Sequence, residues 1–378
     1  MKKTKKIIFV VTEDWFFCSH RLSIAKAALN AGYEVATITQ VKHHKATIES
    51  HGIKVIPFKI SRSGCNPLTE FMTIISLYKI YKRENPDLLH HVAIKPILYG
   101  TIAAKLSGVP IVINAVTGLG YIYISKKISA RIIRLIVSPI LKIIFNLRNS
   151  FTIFQNKDDQ KSLQSNSHSI DDQSIIIMGS GVDHRYYTPA KEKPISPCVV
   201  LGARMLIDKG IREYVDAARI VKKEFKEAKF LLAGDTDSGN PAMIKKSQLG
   251  MWKDEGVIEW EGHQEDMLSI LQKSNIACLP SYREGMPKFL LEAASCGLSI
   301  VTTDVPGCRE VVQNNQNGFL VPAKNPILLA DAIIMLIKDS ALRNKFGNQS
   351  RAMVENMFSS EIINKQTISL YKSLFRKL

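Results

Sequence analysis

The segment VVLGARMLIDKG, residues 199–210, joins a short apolar run to a polar loop and then to a helical stretch. The run Val199–Leu201 is typical of a buried parallel strand that is followed by a crossover helix. Open α/β sheets bind ligands beyond the carboxyl ends of their strands, so we expect Arg204 and Lys209 to lie at a binding edge. An arginine can bind two phosphate oxygens and a lysine acts as a point charge, so this pair suits a diphosphate.

The same alternation of apolar runs and helical stretches extends along the whole chain. It begins at Ile7–Val11 and continues in the second half with runs such as Lys229–Ala233. Stretches such as Pro67–Glu84 and Ile97–Ser107 are expected to be the crossover helices between strands. Strands that alternate with helices predict parallel sheets. The polar, proline-marked segment 186–194 separates the two series. We therefore predict an α/β protein whose two Rossmann-like domains, residues 1–187 and 188–357, face a central cleft.

The composition is that of a globular protein with a large positive charge. Of the 378 residues, 46% are hydrophobic and 22% are charged, and the net charge is +17. Residues 1–187 carry 25 basic and 12 acidic side chains, so most of the excess lies in the first half. Such an excess attracts phosphate, an anionic membrane surface or nucleic acid. Basic runs interleaved with exposed aromatic residues are absent from the sequence, so we expect no nucleic-acid partner.

A basic and apolar stretch, Tyr121–Arg148, contains no acidic residue. Its apolar runs are far shorter than the roughly 20 residues of a membrane span. Two interpretations stay open at this point. The stretch is either an amphipathic helix that lies in the plane of an anionic membrane or a core helix with a solvated basic face.

The N-terminus and the cysteines indicate a cytoplasmic protein. The apolar run that follows the lysine-rich start is too short for the core of a signal peptide. The six cysteines show no spacing typical of zinc ligands, so we expect reduced thiols.

A second chemical motif, PSYREGMPKFLLEA at residues 280–293, also follows an apolar run. Gly285 permits an unusual backbone angle, and Pro287 suits the first turn of a helix. We therefore expect the backbone amides around Gly285 and Met286 to point at an anion.

The same motif carries two carboxylates separated by seven residues. Glu284 lies in the loop, where it can accept hydrogen bonds from the hydroxyls of a sugar. Glu292 lies within an apolar run, where an unpaired carboxylate is costly, so a ligand with two hydroxyls such as a ribose is a natural partner.

These residues carry a resemblance to a known family. Arg204 and Lys209 followed by Gly210, together with Glu284 and Glu292, resemble the donor site of the family 4 retaining glycosyltransferases, which have the GT-B fold. Members of that family transfer a sugar from a nucleotide diphosphate with retention at the anomeric carbon. They need no metal and no further cofactor.

The resemblance implies a role for each position of the motif. The two cations would hold the donor diphosphate, Glu292 the ribose and Glu284 the donor sugar, and the base would bind the backbone at Gly262. It also implies that a last helix, about residues 358–378, packs back on the first domain.

Parts of the first half resemble one bacterial subgroup of this family. This resemblance rests on Ser61–Pro67, Lys95 and Thr117–Gly120. The subgroup includes the N-acetylgalactosaminyltransferase of lipid-linked N-glycan assembly, and its acceptors are sugars on undecaprenyl diphosphate. The candidates for binding that acceptor are His20, Arg21, Arg62 and Lys95.

One departure from the family concerns its histidine. Many members have a histidine that points at the donor sugar, and Val92 stands at that position here. His20 or His91 could replace it, and we take His91 as the catalytic candidate.

The sequence therefore predicts a transferase that moves an N-acetylhexosamine or hexose from a UDP-sugar to a lipid-linked saccharide at the inner membrane face. A UDP-N-acetylglucosamine 2-epimerase and a transferase with a soluble acceptor are the alternatives. The triplet Asp235–Asp237 has the spacing of metal-dependent transferases, but its surroundings are typical of a turn, so we expect a loop and no metal site.

Overall fold

The computed structural model describes residues 4–59, 66–118, 128–163, 173–192 and 194–377. The chain divides into two compact units. The first unit comprises Met1–Ser180 with Ile363–Leu378, and the second unit comprises Gly181–Ile362.

The first unit is built on a parallel sheet that has seven strands among the described residues, in the order β3-β2-β1-β4-β5-β6-β7. The strands are β1 Lys6–Glu13, β2 Glu34–Gln40, β3 Lys54–Pro57, β4 Leu88–Val92, β5 Ile111–Val116, β6 Ser150–Phe154 and β7 Ser174–Ile176. The helices are α1 Asp14–His20, α2 Leu22–Asn30, α3 Lys45–Glu49, α4 Pro67–Glu84, α5 Ile94–Ser107, α6 Ile128–Phe145, α7 Lys157–Leu163 and, from the end of the chain, α15 Ser360–Arg376.

Helices cover both faces of this sheet, and the side chains of β1 show how. Ile7 and Phe9 pack toward α2 and α15, whereas Ile8 and Val10 pack toward α4 and α5. Successive residues of a strand point to opposite faces, so a strand buried on both sides is apolar throughout. The continuous apolar runs of the sequence have this cause.

The second unit repeats the architecture. Its sheet is parallel and has the order β10-β9-β8-β11-β12-β13. The strands are β8 Cys198–Gly202, β9 Lys229–Ala233, β10 Glu259–Gly262, β11 Ile276–Leu279, β12 Ser299–Thr303 and β13 Gly318–Val321. The helices are α8 Ile211–Glu224, α9 Lys246–Asp254, α10 Met267–Gln272, α11 Lys288–Ser295, α12 Cys308–Val311, α13 Pro326–Lys338 and α14 Ser340–Met353.

The strand order of the second unit fixes where its loops meet. From β8 the chain first adds β9 and β10 on one side of the sheet, and then β11, β12 and β13 on the other. The loops that leave β8 and β11 are therefore neighbours at the point where the order reverses, which is where such sheets bind ligands. The predicted class, α/β with two Rossmann-like parallel sheets, is confirmed.

Candidate active site

The loops that follow β8 and β11 interlock at the carboxyl edge of the second sheet. Gly210 ends the short turn Ile207–Lys209 with φ of 72°. A Cβ atom at Gly210 would lie 2.0 Å from the carbonyl oxygen of Pro280. The backbone amide of Tyr282 donates to the carbonyl of Asp208 at 2.9 Å. Close approach of the two loops therefore requires glycine here.

This interlock brings Lys209 and Glu284 together, as the sequence predicts for a common site. Lys209 Nζ donates to Glu284 Oε1 at 2.5 Å, and Ser281 Oγ donates to the same oxygen at 2.6 Å. The two charged side chains are 18% and 11% exposed. The loop after β12 supports them, since Glu284 N donates to Pro306 O at 3.0 Å and Gly307 packs against the Glu284 backbone. An ammonium group and a carboxylate thus share one small, partly desolvated region.

Arg204 lies on the same loop and pairs with a residue that follows β9. Its Nη1 atom is 2.5 Å from Asp237 Oδ2, and the arginine side chain is 41% exposed. The two loops are joined by their backbones, because Met205 N donates to Asp235 O at 3.0 Å. Gly234 permits this contact: its φ is 141°, and a Cβ atom there would lie 1.9 Å from Ala203 O.

Asp235–Asp237 form a loop in the structure, as the sequence predicts. Asp235 has Lys246 Nζ at 4.0 Å, whereas Asp237 pairs with Arg204. Across the described ranges, His, Cys, Asp and Glu side chains form no group of three or more that is arranged to hold a metal ion.

Gly262 lies at the same edge of the sheet, at the end of β10. Its φ is 67°, and its carbonyl accepts a hydrogen bond of 2.6 Å from Gly234 N. The indole of Trp260 donates to Gly234 O at 2.9 Å. Gly262, whose backbone is expected to bind the base of the donor, is thus hydrogen-bonded to Gly234, and Gly234 packs against the backbone next to Arg204.

Glu292 lies on α11, 6% exposed, and has partners of its own. Lys288 Nζ is 3.1 Å from Glu292 Oε1, and the phenol of Tyr187 hydrogen-bonds the same carboxylate. Burial is the main cause that raises the pKa of Tyr187, and the negative charge of Glu292 raises it further. Gly285 and Met286 connect Glu284 to α11, and Pro287 caps that helix at its N-terminus.

His91 is an interior residue of the first unit, which removes the basis for its predicted catalytic role. Its side chain is fully buried, and its Nδ1 lies 3.0 Å from Asn114 Oδ1 and its Nε2 3.2 Å from the Tyr81 hydroxyl. A Cβ atom at Gly100 would collide with the ring. Burial lowers the pKa of His91 to about 4, so the imidazole is neutral at physiological pH. Both ring nitrogens have hydrogen-bond partners inside the first unit.

The predicted acceptor residues have different surroundings. His20 ends α1 and stacks on Phe16 with ring centroids 4.1 Å apart. Arg21 is only 3% exposed, which does not suit a residue that grips an external diphosphate. Lys95 Nζ pairs with Glu70 Oε1 at 2.8 Å. Arg62 lies outside the described residues.

Comparison with known proteins now identifies the chain. Residues 188–353 match the family of Glycosyl transferases group 1, and residues 6–157 match the family Glycosyl transferase 4-like. The chain belongs to the glycosyltransferases.

Two relatives of this glycosyltransferase are named for sugars linked to undecaprenol. It is 28% identical, over 95% of this chain and 96% of the relative, to the N,N'-diacetylbacillosaminyl-diphospho-undecaprenol alpha-1,3-N-acetylgalactosaminyltransferase of Campylobacter jejuni. It is 24% identical, over 79% of this chain and 81% of the relative, to the Escherichia coli UDP-Gal:alpha-D-GlcNAc-diphosphoundecaprenol alpha-1,3-galactosyltransferase. Its fold matches that of Anabaena HepE, whose structure is a complex with UDP and glucose. The TM-score is 0.78 and the identity is 18%, over 98% of this chain and 100% of HepE.

The sequence did not predict the roles of three residues at the glycosyltransferase's site. Asp237 partners Arg204, Ser281 partners Glu284, and Tyr187 partners Glu292. Ser281 had a local signal, because it lies three residues before Glu284 in the same loop. Asp237 and Tyr187 had none, since only the folded chain brings them to their partners.

Proposed function

We propose that this glycosyltransferase moves an N-acetylhexosamine or hexose from a UDP-sugar to a saccharide on undecaprenyl diphosphate, with retention at the anomeric carbon, in bacterial surface-glycan assembly. The names of the two relatives from Campylobacter and Escherichia coli support the acceptor class. The name of the second relative, together with the UDP in the HepE structure, supports the donor.

The observation that carries the proposal is the placement of Lys209, Arg204 and Glu284 at the point where the strand order of the second sheet reverses. Two cations at this edge provide a diphosphate site. Their present partners are carboxylates, which a diphosphate of the same charge sign can replace. The neutral interior of the sheet below lowers the effective dielectric, so these charges act more strongly than in water.

The chemistry that this arrangement supports is displacement on one face of the donor sugar. The bond between the anomeric carbon and the diphosphate oxygen breaks, and a bond from the acceptor hydroxyl oxygen to that carbon forms on the same face. The hydroxyl proton passes to the departing phosphate oxygen. Lys209 and Arg204 stabilise the negative charge that develops on the diphosphate.

Glu284 and Glu292 hold the hydroxyls of the donor in this proposal. Once the diphosphate takes Lys209, Glu284 has a free carboxylate oxygen for the hydroxyls of the sugar. Glu292 keeps its hydrogen bond from Tyr187 and accepts from the ribose with its remaining lone pairs.

The lipid product tests this function. Purified protein, a panel of UDP-sugars and a detergent-dispersed undecaprenyl-diphosphate-linked saccharide are incubated together, and the lipid is analysed by mass spectrometry and NMR. We expect the mass of one added sugar, and the same anomeric configuration as in the donor. Conversion of UDP-N-acetylglucosamine without any transfer would instead indicate an epimerase, and transfer to a free sugar alone would indicate a soluble acceptor.

Asp237 competes with the donor for Arg204 in this account. We expect Asp237→Asn to lower the Kd for UDP roughly two- to fivefold, the range of a partly exposed ion pair. Asp235→Asn is the matched control, because Asp235 is half exposed and 4.0 Å from its nearest cation. Calorimetric titration with UDP measures both. Weaker binding by Asp237→Asn would show that the carboxylate positions Arg204 instead of competing for it.

We also propose that the first unit docks on the anionic inner face of the cytoplasmic membrane. Helix α6 buries Leu141 and Phe145 in the unit, but Leu135 and Ile143 are 75% and 66% exposed. Arg131 and Lys142 are exposed on the same helix. None of the described helices has the length and apolar character needed to cross a bilayer. An apolar and basic helix surface of this kind suits the headgroup region.

Vesicle sedimentation tests the docking. We expect the protein to sediment with phosphatidylglycerol vesicles and to remain in solution with phosphatidylcholine vesicles. The double variant Leu135→Glu and Ile143→Glu should lose at least tenfold in binding, because two charges would enter the apolar layer. Ile327→Glu changes a residue of the second unit that is 62% exposed, and it should bind normally. Equal sedimentation of the double variant and the parent would contradict this orientation.

A further inference from the structure

A small, partly open cavity lies in the first unit, between the sheet and α15. Its volume is about 10 Å³, close to the space of a single water molecule or monatomic ion. The polar residues that line it are Arg21, His90, Gln155 and Thr367, and the other lining residues are aliphatic, alanine or glycine. It is built from residues of the first unit alone.

Arg21 brings an uncompensated positive charge to this cavity. Its Nη1 donates to the carbonyl of His20 at 2.9 Å, but its buried Nε has no hydrogen-bond partner within the described part of the chain. Among the residues that the structure describes, no carboxylate pairs with this guanidinium, and burial lowers the pKa of Arg21 to about 10. The group therefore remains charged at neutral pH, in an environment where an unpaired charge is costly.

His90 brings a second hydrogen-bond donor. Its Nδ1 lies 2.6 Å from the hydroxyl of Tyr371 on α15, and its buried Nε2 has no partner from any residue that the structure describes. Burial lowers the pKa of His90 and raises that of Tyr371, so both groups are neutral. Over the described residues, His90 Nδ1 is the hydrogen-bond partner of the Tyr371 hydroxyl, so we take the hydroxyl as the donor and Nδ1 as the acceptor. A neutral imidazole that accepts at Nδ1 carries its own proton on Nε2.

We propose that the cavity binds a single chloride ion, which accepts hydrogen bonds from Arg21 Nε and His90 Nε2. A halide satisfies both donors and offsets the charge of the guanidinium. A water molecule would satisfy the donors but leave that charge unbalanced, and a space of about 10 Å³ suits a monatomic ion better than a phosphate. The ion would connect α2, β4 and, through Tyr371, α15.

Thermal unfolding of the full chain provides the first test. We compare sodium chloride with sodium gluconate at equal ionic strength, and expect a Tm about 2–4 °C higher in chloride. Arg21→Met should abolish the difference between the two salts. Lys26→Met removes an exposed cation from α2, the helix that begins directly after Arg21, and should keep the difference. Equal Tm values for the parent protein in both salts would overturn the proposal.

Crystals of the unsubstituted protein grown in sodium bromide provide a second test that needs no variant. We expect an anomalous peak within hydrogen-bond distance of both Arg21 Nε and His90 Nε2. An empty cavity, or density without an anomalous signal, would overturn the chloride assignment.

Discussion

Replacing Lys209 by methionine should lower kcat/KM for sugar transfer by about 10²–10³-fold, as loss of one charge-stabilising group does in other enzymes. Its side chain is only 18% exposed and its ammonium lies 2.5 Å from Glu284, so the charge acts where water screens it little. The substitution keeps the length of the side chain and removes its charge. Most of the loss should appear in kcat, because charge on the diphosphate grows as the bond breaks.

The control for this prediction is Lys338→Met. Lys338 also belongs to an ion pair of the second unit, 2.7 Å from Glu224, but its side chain is 56% exposed and lies away from the carboxyl edge. Such a pair contributes little, so kcat/KM should change less than twofold. Full activity of a folded Lys209→Met enzyme would place the donor diphosphate elsewhere.

Replacing Gly210 by alanine should destabilise the second unit by about 2–4 kcal/mol, because strain at positive φ adds to a backbone collision. The new Cβ atom would lie 2.0 Å from Pro280 O, so the loop of Lys209 must move away from the loop of Glu284. The affinity for UDP should fall together with the free energy of unfolding. Denaturant unfolding and UDP titration measure the two effects.

Gly256→Ala separates strain from collision. Its φ of 74° nearly equals that of Gly210, but no atom of the described residues lies within 4 Å of the added Cβ atom. We expect a cost of about 1 kcal/mol and unchanged UDP affinity. Equal costs at both glycines would mean that the two loops are not interlocked.

The fold was predictable because its signals are local. The sequence predicts a helix at Pro67–Glu84, and α4 has these bounds, with Asn66 capping the helix through Leu68 N. Strands buried on both faces left continuous apolar runs, as at Ile7–Val11 in β1. The helix predicted over Ile97–Ser107 begins earlier, at Ile94, because the turn before it depends on Ala93 at φ of 74°. No pattern of apolar residues marks such a turn.

The candidate site was predictable only in part. Lys209 and Glu284 followed from motif spacing, and the structure joins them. Spacing cannot show which side chains turn inward, and this is why the surroundings of His91 and Arg21 differ from expectation. Adjacent residues of a strand face opposite sides, so His90 meets Tyr371 while His91 meets Tyr81. The partners of both histidines come from distant parts of the chain.

Release of UDP tests the central claim most directly. The protein is incubated with UDP-sugars and a chelator, with and without a detergent-dispersed undecaprenyl-diphosphate-linked saccharide, and free UDP is measured over time. We predict release that requires the lipid acceptor, proceeds in the chelator, and disappears in Lys209→Ala and Glu292→Ala. Release that stops in the chelator, or that is the same without the lipid acceptor, would contradict the account.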